Sequence, residues 1–143
     1  MESCYHPGAQ EDHGAICGDA ATFCELASRD GGLYTRMHHN IGTINIELAG
    51  DIAHSEAYVC ASGPLIAAAE DGSTQSRSIY ARYIDRFERR NGEWRIMQRI
   101  VVKDWTDVRT VCDPQEDYPL SQYGPSDIAY TRLSPRLGPV ARG

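Results

Sequence analysis

Absences set the first limits on this chain. None of its 143 residues belongs to a segment approaching the ~20 apolar positions that a membrane-spanning helix requires, and the opening stretch MESCYHPGAQEDHG holds no apolar signal core. Cations are scarce as well: 14 Lys and Arg stand against 20 Asp and Glu, for a net charge of -6 and a pI near 5.3. That balance argues against nucleic acid, whose binding needs clustered cations to displace counterions. Most arginines fall in one stretch at alternate spacing, the pattern of a solvated strand face. Cys4, Cys17, Cys24, Cys60 and Cys112 are odd in number and form no C-x-x-C pair. Neither a zinc knuckle nor a disulfide framework is indicated, no metal or cofactor is implied, and reduced thiols in a cytoplasmic protein are expected. Internal repeats and low-complexity tracts are also missing, and the length suits one domain that buries roughly two thirds of its extended surface.

What is present is organised around residues 76–106, SRSIYARYIDRFERRNGEWRIMQRIVVKDWT. β-Branched and aromatic residues recur on both sides of Asn91-Gly92, the strongest short-range hairpin signal. A two-residue loop sets Arg99 opposite Ile84; a three-residue loop, Arg90-Asn91-Gly92 with a bulge at Gly92, sets it opposite Tyr83. The second register is favoured. It gathers Ile79, Ala81, Tyr83, Met97, Arg99, Val101 and Trp105 on one face. Arg82, Ile84, Arg86, Trp94, Ile96, Ile100 and Val102 share the other, whose apolar members offer a surface to a partner subunit.

Upstream, His6-Pro7-Gly8 reads as a turn into a short strand from Ala9 to His13. Asp19 caps an amphipathic helix in AATFCELASRD that Gly31-Gly32 closes, and Leu33 to Met37 continues as a short helical turn. HHNIGTINIELAGD is a strand that turns at Ala49-Gly50-Asp51 into IAHSEAYVCASG, with Gly63-Pro64 marking a bulge or an edge. Residues 70–73 turn the chain into the hairpin. After Trp105 the chain becomes Pro-rich and aperiodic, an extended tail. The order of elements implies an α+β fold: a strongly curved, mostly antiparallel sheet whose helical cover encloses a conical cavity. Residues 1–108 are read as this domain and 109–143 as its Pro-rich extension.

Three stretches, YHPGAQEDHG, HHNIGTINIE and YIDRFERRNGEWRIMQRIVVKDW, resemble the SnoaL-like branch of the nuclear transport factor 2 superfamily, which includes scytalone dehydratase, bile-acid 7α-dehydratase and hexachlorocyclohexane dehydrochlorinase. The resemblance implies a cofactor-independent lyase or isomerase, of dehydratase or polyketide cyclase type, acting on a small hydrophobic molecule. His39, in the pattern H-x-x-G-x-x-x-x-E with Gly42 and Glu47, takes the position of the family's general base, a role suited to a side chain whose ordinary pKa leaves it largely neutral at pH 7. Arg99 falls at a pocket position and is placed either to stabilise anionic charge or to pair with Asp85 or Glu56. Family members carry the carboxylate partner of the histidine on a first helix that precedes the segment resembling YHPGA. Met1 stands four residues before Tyr5, so that helix is expected to be missing. Asp12, Asp85 and Asp104 are the substitutes, with Asp104 taken as catalytic. His13, Tyr58, Cys60, Tyr83 and Trp105 are expected to line the substrate cavity, His13 with a turn-capping role as the alternative. A homodimer or higher homo-oligomer is expected through Ile84, Trp94, Ile96, Ile100 and Val102. A non-catalytic binding or assembly subunit, like the small subunits of ring-hydroxylating dioxygenases, is the alternative reading.

Overall fold

The computed structural model describes residues 2–28, 33–112, 120–122 and 127–131. In chain order it contains strand β1 (Tyr5–Asp12), strand β2 (Cys17–Asp19), helix α1 (Ala20–Ser28), and strands β3 (His38–Ala49), β4 (Ile52–Pro64), β5 (Gln75–Arg90) and β6 (Glu93–Thr110). They form one six-stranded sheet in the order β2-β1-β6-β5-β4-β3. β1 runs parallel to β6 and every other pairing is antiparallel.

The β5–β6 hairpin turns on two residues, because Arg90 pairs with Glu93 and both Asn91 (φ 54°) and Gly92 (φ 82°) adopt positive φ. This mirror-image turn matches the right-handed twist of the strands. It replaces the three-residue loop expected from the sequence. Two bulges on β6 then reset the register. Arg86 pairs with Gln98 but Phe87 with Ile96, which makes Met97 the extra residue; Tyr80 pairs with Trp105 but Ala81 with Lys103, which makes Asp104 the second. Arg99 therefore lies opposite Asp85, the partner of neither expected register. Since Tyr83 and Asp85 are two residues apart, Arg99 and Tyr83 still share a face. Beyond the bulges the expected faces exchange members. Trp94 and Ile96 join Arg99 and Phe87, and Trp105 joins Tyr80 and Arg82.

Helix α1 starts where Asp19 Oδ1 accepts the N–H groups of Ala21 (2.9 Å) and Thr22 (3.3 Å), an N-cap that satisfies two of the helix's free donors. Its Ala20 and Cys24 are buried with Tyr5, Ala9 and Ile96, and Phe23 and Phe87 pack against that cluster. The helix thus covers the β1 end of the Arg99 face. β1 is longer than expected and begins at Tyr5; its pairing with β6 is interrupted between Tyr5 and Gln10, and this accommodates Pro7 and Gly8 inside the strand. Residues 33–37 are not helical: Tyr34 bridges to Leu65, and Thr35 N–H donates to the Pro64 carbonyl (3.0 Å). Gly63 and Pro64 end β4 past its last β3 partner, so the N–H that proline lacks is not missed. A Cβ on Gly63 would stand 1.9 Å from the Arg36 carbonyl oxygen, a contact only glycine avoids. The closing glycines expected for α1 and most of the Pro-rich tail lie outside the described residues, although β6 itself continues to Thr110.

The α+β class is observed, with a mixed sheet; the strongly curved cone is not. The sheet is open, with β2 and β3 as its two edges, and is not strongly curved. The physical reason is the extent of the cover. A sheet curls around a core that fills its concave side. Here α1 fills only the β1 end, while β3 is exposed along its whole length and turns Ile41, Ile44, Ile46 and Leu48 (73% exposed) toward the same side without a covering element among the described residues.

Candidate functional site

Register and bulges together assemble a polar island on the Arg99 face. Arg99 donates from Nε and a terminal nitrogen to the two oxygens of Asp85, both at 2.7 Å, and its guanidinium stands 4.0 Å over the Tyr83 ring. Asp85 is buried and the Arg99 side chain nearly so. Burial acts to lower the guanidinium's pKa, but the hydrogen bonds and charge of Asp85 outweigh it and the net shift is upward. β1 runs alongside, with Glu11 in register with Arg99. The Glu11 side chain is completely buried, 0% exposed, and its Oε1 lies 2.9 Å from His13 Nδ1.

His13 sits two residues beyond Glu11, at the mouth of a tight turn. Asp12 Oδ1 accepts the Gly14 N–H (2.8 Å) and the His13 N–H donates to the Ile16 carbonyl (2.8 Å), so turn formation is the work of the Asp12 side chain and of the backbone. The imidazole is left for the island: it stacks on Phe23 at 4.3 Å between centroids and meets Tyr83 at 6.5 Å, tilted by 57°. His39, on β3, belongs to this face through its pairing with Ala61, itself opposite Ile79. Loss of water around its imidazole lowers its pKa from the ordinary 6.5, and charge on His13 and His38 acts in the same direction. Tyr5 and Tyr83 are pushed upward, first by burial, against the pull of Arg99 and with the help of Glu11. Both phenols therefore remain hydrogen-bond donors throughout the neutral range.

The opposite face holds the other expected residues. Tyr58 and Cys60 pair with Arg82 and Tyr80, and Trp105 stacks on Tyr80 at 4.5 Å. With Asp104, Asn40 and Gly42 they line a shallow depression of ≈ 200 Å³. On the same face Arg82 bonds Glu56 at 2.8 Å and approaches Asp104 at 3.7 Å.

His39, His13, Tyr83 and Arg99 are thus brought to one face, and Tyr58, Cys60, Asp104 and Trp105 to the other. Of the three aspartates considered as partners for His39, Asp85 is committed to Arg99, Asp12 to the turn, and Asp104 faces away beside Arg82. Glu11 was not singled out from the sequence. The signal available was the E-x-H spacing of Glu11 and His13, which on a strand sends both side chains to one side. Among the described residues no group of three or more His, Cys, Asp or Glu is placed to hold a metal ion, and no helix is long and apolar enough to cross a membrane.

The SnoaL-like domain profile matches residues 1–100, and the chain belongs to that family. Among solved structures it is similar to a hexachlorocyclohexane dehydrochlorinase (LinA) type 2, at 19% identity, TM-score 0.67, covering 80% of this chain and 77% of that one. It is also similar to a provisionally named scytalone dehydratase of Novosphingobium aromaticivorans (12% identity, TM-score 0.62, 83% and 78% covered). A third is the beta subunit of a provisionally named aromatic-ring-hydroxylating dioxygenase of the same organism (16%, TM-score 0.51, 72% and 73%). At these identities the likeness is one of fold. Among curated proteins none matches the sequence.

Proposed function

We propose that this chain is a cofactor-independent lyase or isomerase, of dehydratase or cyclase type, in which a histidine base takes a proton from a small hydrophobic substrate on the Arg99 face. The superfamily link to lyases acting on small molecules supports the reaction class. The observation that carries the reading is the island itself: two imidazoles, the protonated Tyr83 phenol and a paired arginine share one face with the apolar side chains of β3 and β4. An imidazole provides a base matched to neutral pH. The Tyr83 phenol supplies a donor for the oxygen on which negative charge develops, in a setting that excludes much of the water. His39 occupies the position that the family resemblance gives to the base, and its lowered pKa keeps it neutral.

A carbon acid of simple shape tests this. Exchange of the α-protons of 2-tetralone in deuterated buffer is expected with the full chain and is expected to fall by ~10²–10⁴, the contribution of a positioned base, when His13 and His39 are both replaced by alanine. Exchange unchanged in that double variant, with the fold intact by circular dichroism, would refute the reading.

The uncovered apolar row on β3 favours a second reading, a non-catalytic assembly subunit, because an exposed patch of that kind normally meets another surface. Under it the chain co-purifies with a larger partner and exchanges no protons. Self-association is proposed under either reading, through the Arg82 face with Ile84, Ile100 and Val102 and with Trp105 in place of Trp94 and Ile96, over more than roughly 1,000 Å². A monomer by sedimentation at micromolar concentration would contradict it.

A further inference from the structure

Resting on the general-base reading above, we propose that the base is His13 held by Glu11, and that His39 is a wall of the same site which contacts the substrate without taking its proton. Three observations lead there. First, a base must be oriented and its positive charge compensated once it has taken a proton, and a carboxylate at one ring nitrogen does both. Among the described carboxylates, the one set against an imidazole of this face is Glu11, 2.9 Å from His13 Nδ1.

Second, Glu11 is costly where it stands. Its side chain is fully buried with the Tyr5 phenol as a neighbouring donor, yet neither oxygen nor His13 Nδ1 has a contact that meets full hydrogen-bond geometry, although Oε1 and Nδ1 are 2.9 Å apart. Stability alone would replace such a group with an apolar one, so a buried carboxylate with unused acceptor capacity points to a role in the chemistry. Third, the ring is fixed in its plane by Phe23 stacked at 4.3 Å, and its edge looks toward Tyr83, which carries Arg99 over its own face.

The step balances without an added reactant. With Nδ1–H directed at Glu11, Nε2 presents its lone pair; it takes the proton from a substrate C–H, and the C–H electron pair either enters an enolate whose oxygen is bonded by a phenol or expels a leaving group from the adjacent carbon. The proton on Nε2 returns to carbon in an isomerisation or leaves with solvent after an elimination. The groups around the Glu11–His13 pair are Tyr5 from β1, Tyr83 from β5, Arg99 from β6 and His39 from β3, with Phe23 of α1 stacked on the ring.

Side-chain ¹⁵N NMR of the full chain reads the tautomer without any substrate. Neutral His13 is expected with its proton on Nδ1, and E11Q is expected to move that proton to Nε2, the preferred site of a free imidazole. Alongside, the 2-tetralone exchange rate should fall ~10²–10⁴-fold in H13Q, about tenfold or more in E11Q, and less than about tenfold in H39Q. A wild-type His13 with its proton on Nε2, or a greater loss in H39Q than in H13Q, would overturn the proposal. If E11Q fails to fold, the ordering of H13Q and H39Q decides alone. Absence of exchange by the wild-type chain would instead overturn the general-base reading on which the proposal rests, and the tautomer would still report whether Glu11 orients the ring.

Discussion

The two faces of the sheet each carry an arginine bonded to a carboxylate on a neighbouring strand, and the pairs could hardly differ more in setting. Arg99 and Asp85 are 18% and 4% exposed, bonded twice at 2.7 Å, and capped by Tyr83. Arg82 and Glu56 are 31% and 36% exposed and share a single bond at 2.8 Å. Coulomb's law is the same for both; the solvent is not. On the wet face the pair is screened and its geometry is one of many. On the covered face neither charge can be left alone without a large penalty, so the pair is rigid, and rigid charge is what a reaction site needs.

That difference has measurable consequences. Asp85→Ala leaves the Arg99 cation buried without its partner, and a loss of ~3–5 kcal/mol in urea unfolding is expected; a loss no larger than that of an average surface substitution would mean that water reaches the island. A more moderate effect concerns pH. The His39 pKa is lowered in the folded chain from the ordinary 6.5, so above that value folded and unfolded forms carry the same neutral imidazole and the term is constant. As pH falls through 6.5 and on through the folded pKa, the unfolded chain takes the proton more readily and stability is lost. Urea midpoints at pH 7.5 and 5 should therefore separate less in His39→Gln than in the wild type, and an unchanged separation would deny the shift. The smallest effect is expected on the Arg82 face: in the dissociated chain, Arg82→Ala should leave the urea midpoint almost where it was, since pairs exposed in the single chain contribute little.

Much of this was legible in the residues, and the failures have a common cause. The hairpin announced itself through Asn91-Gly92, the cap through Asp19, and the β3–β4 turn through Gly50, each a local demand with a local signature. What the sequence hid were the bulges at Met97 and Asp104. A bulge is settled by what each face must pack against, not by the residues that form it, and each one exchanges the faces of everything beyond it. Ile96 was misplaced by a turn one residue shorter than expected, and Trp105 by that turn and the two bulges together. The cone failed differently: curvature depends on how much of a face is covered, and strand patterns do not report it. The split of Asp104 and Trp105 from Arg99 follows from the bulges.

Whether chemistry belongs to the covered face can be asked directly. 2-Naphthol is planar, apolar and carries its hydroxyl where the enol of 2-tetralone would, so its binding site should be the site of reaction. Titrating it into ¹⁵N-labelled chain is expected to shift the amide signals of Glu11, His13, His39, Tyr83 and Arg99 together and saturably. Shifts confined to Tyr58, Cys60, Tyr80 and Trp105 would place the ligand in the depression of the opposite face and contradict the assignment of function to the Arg99 island.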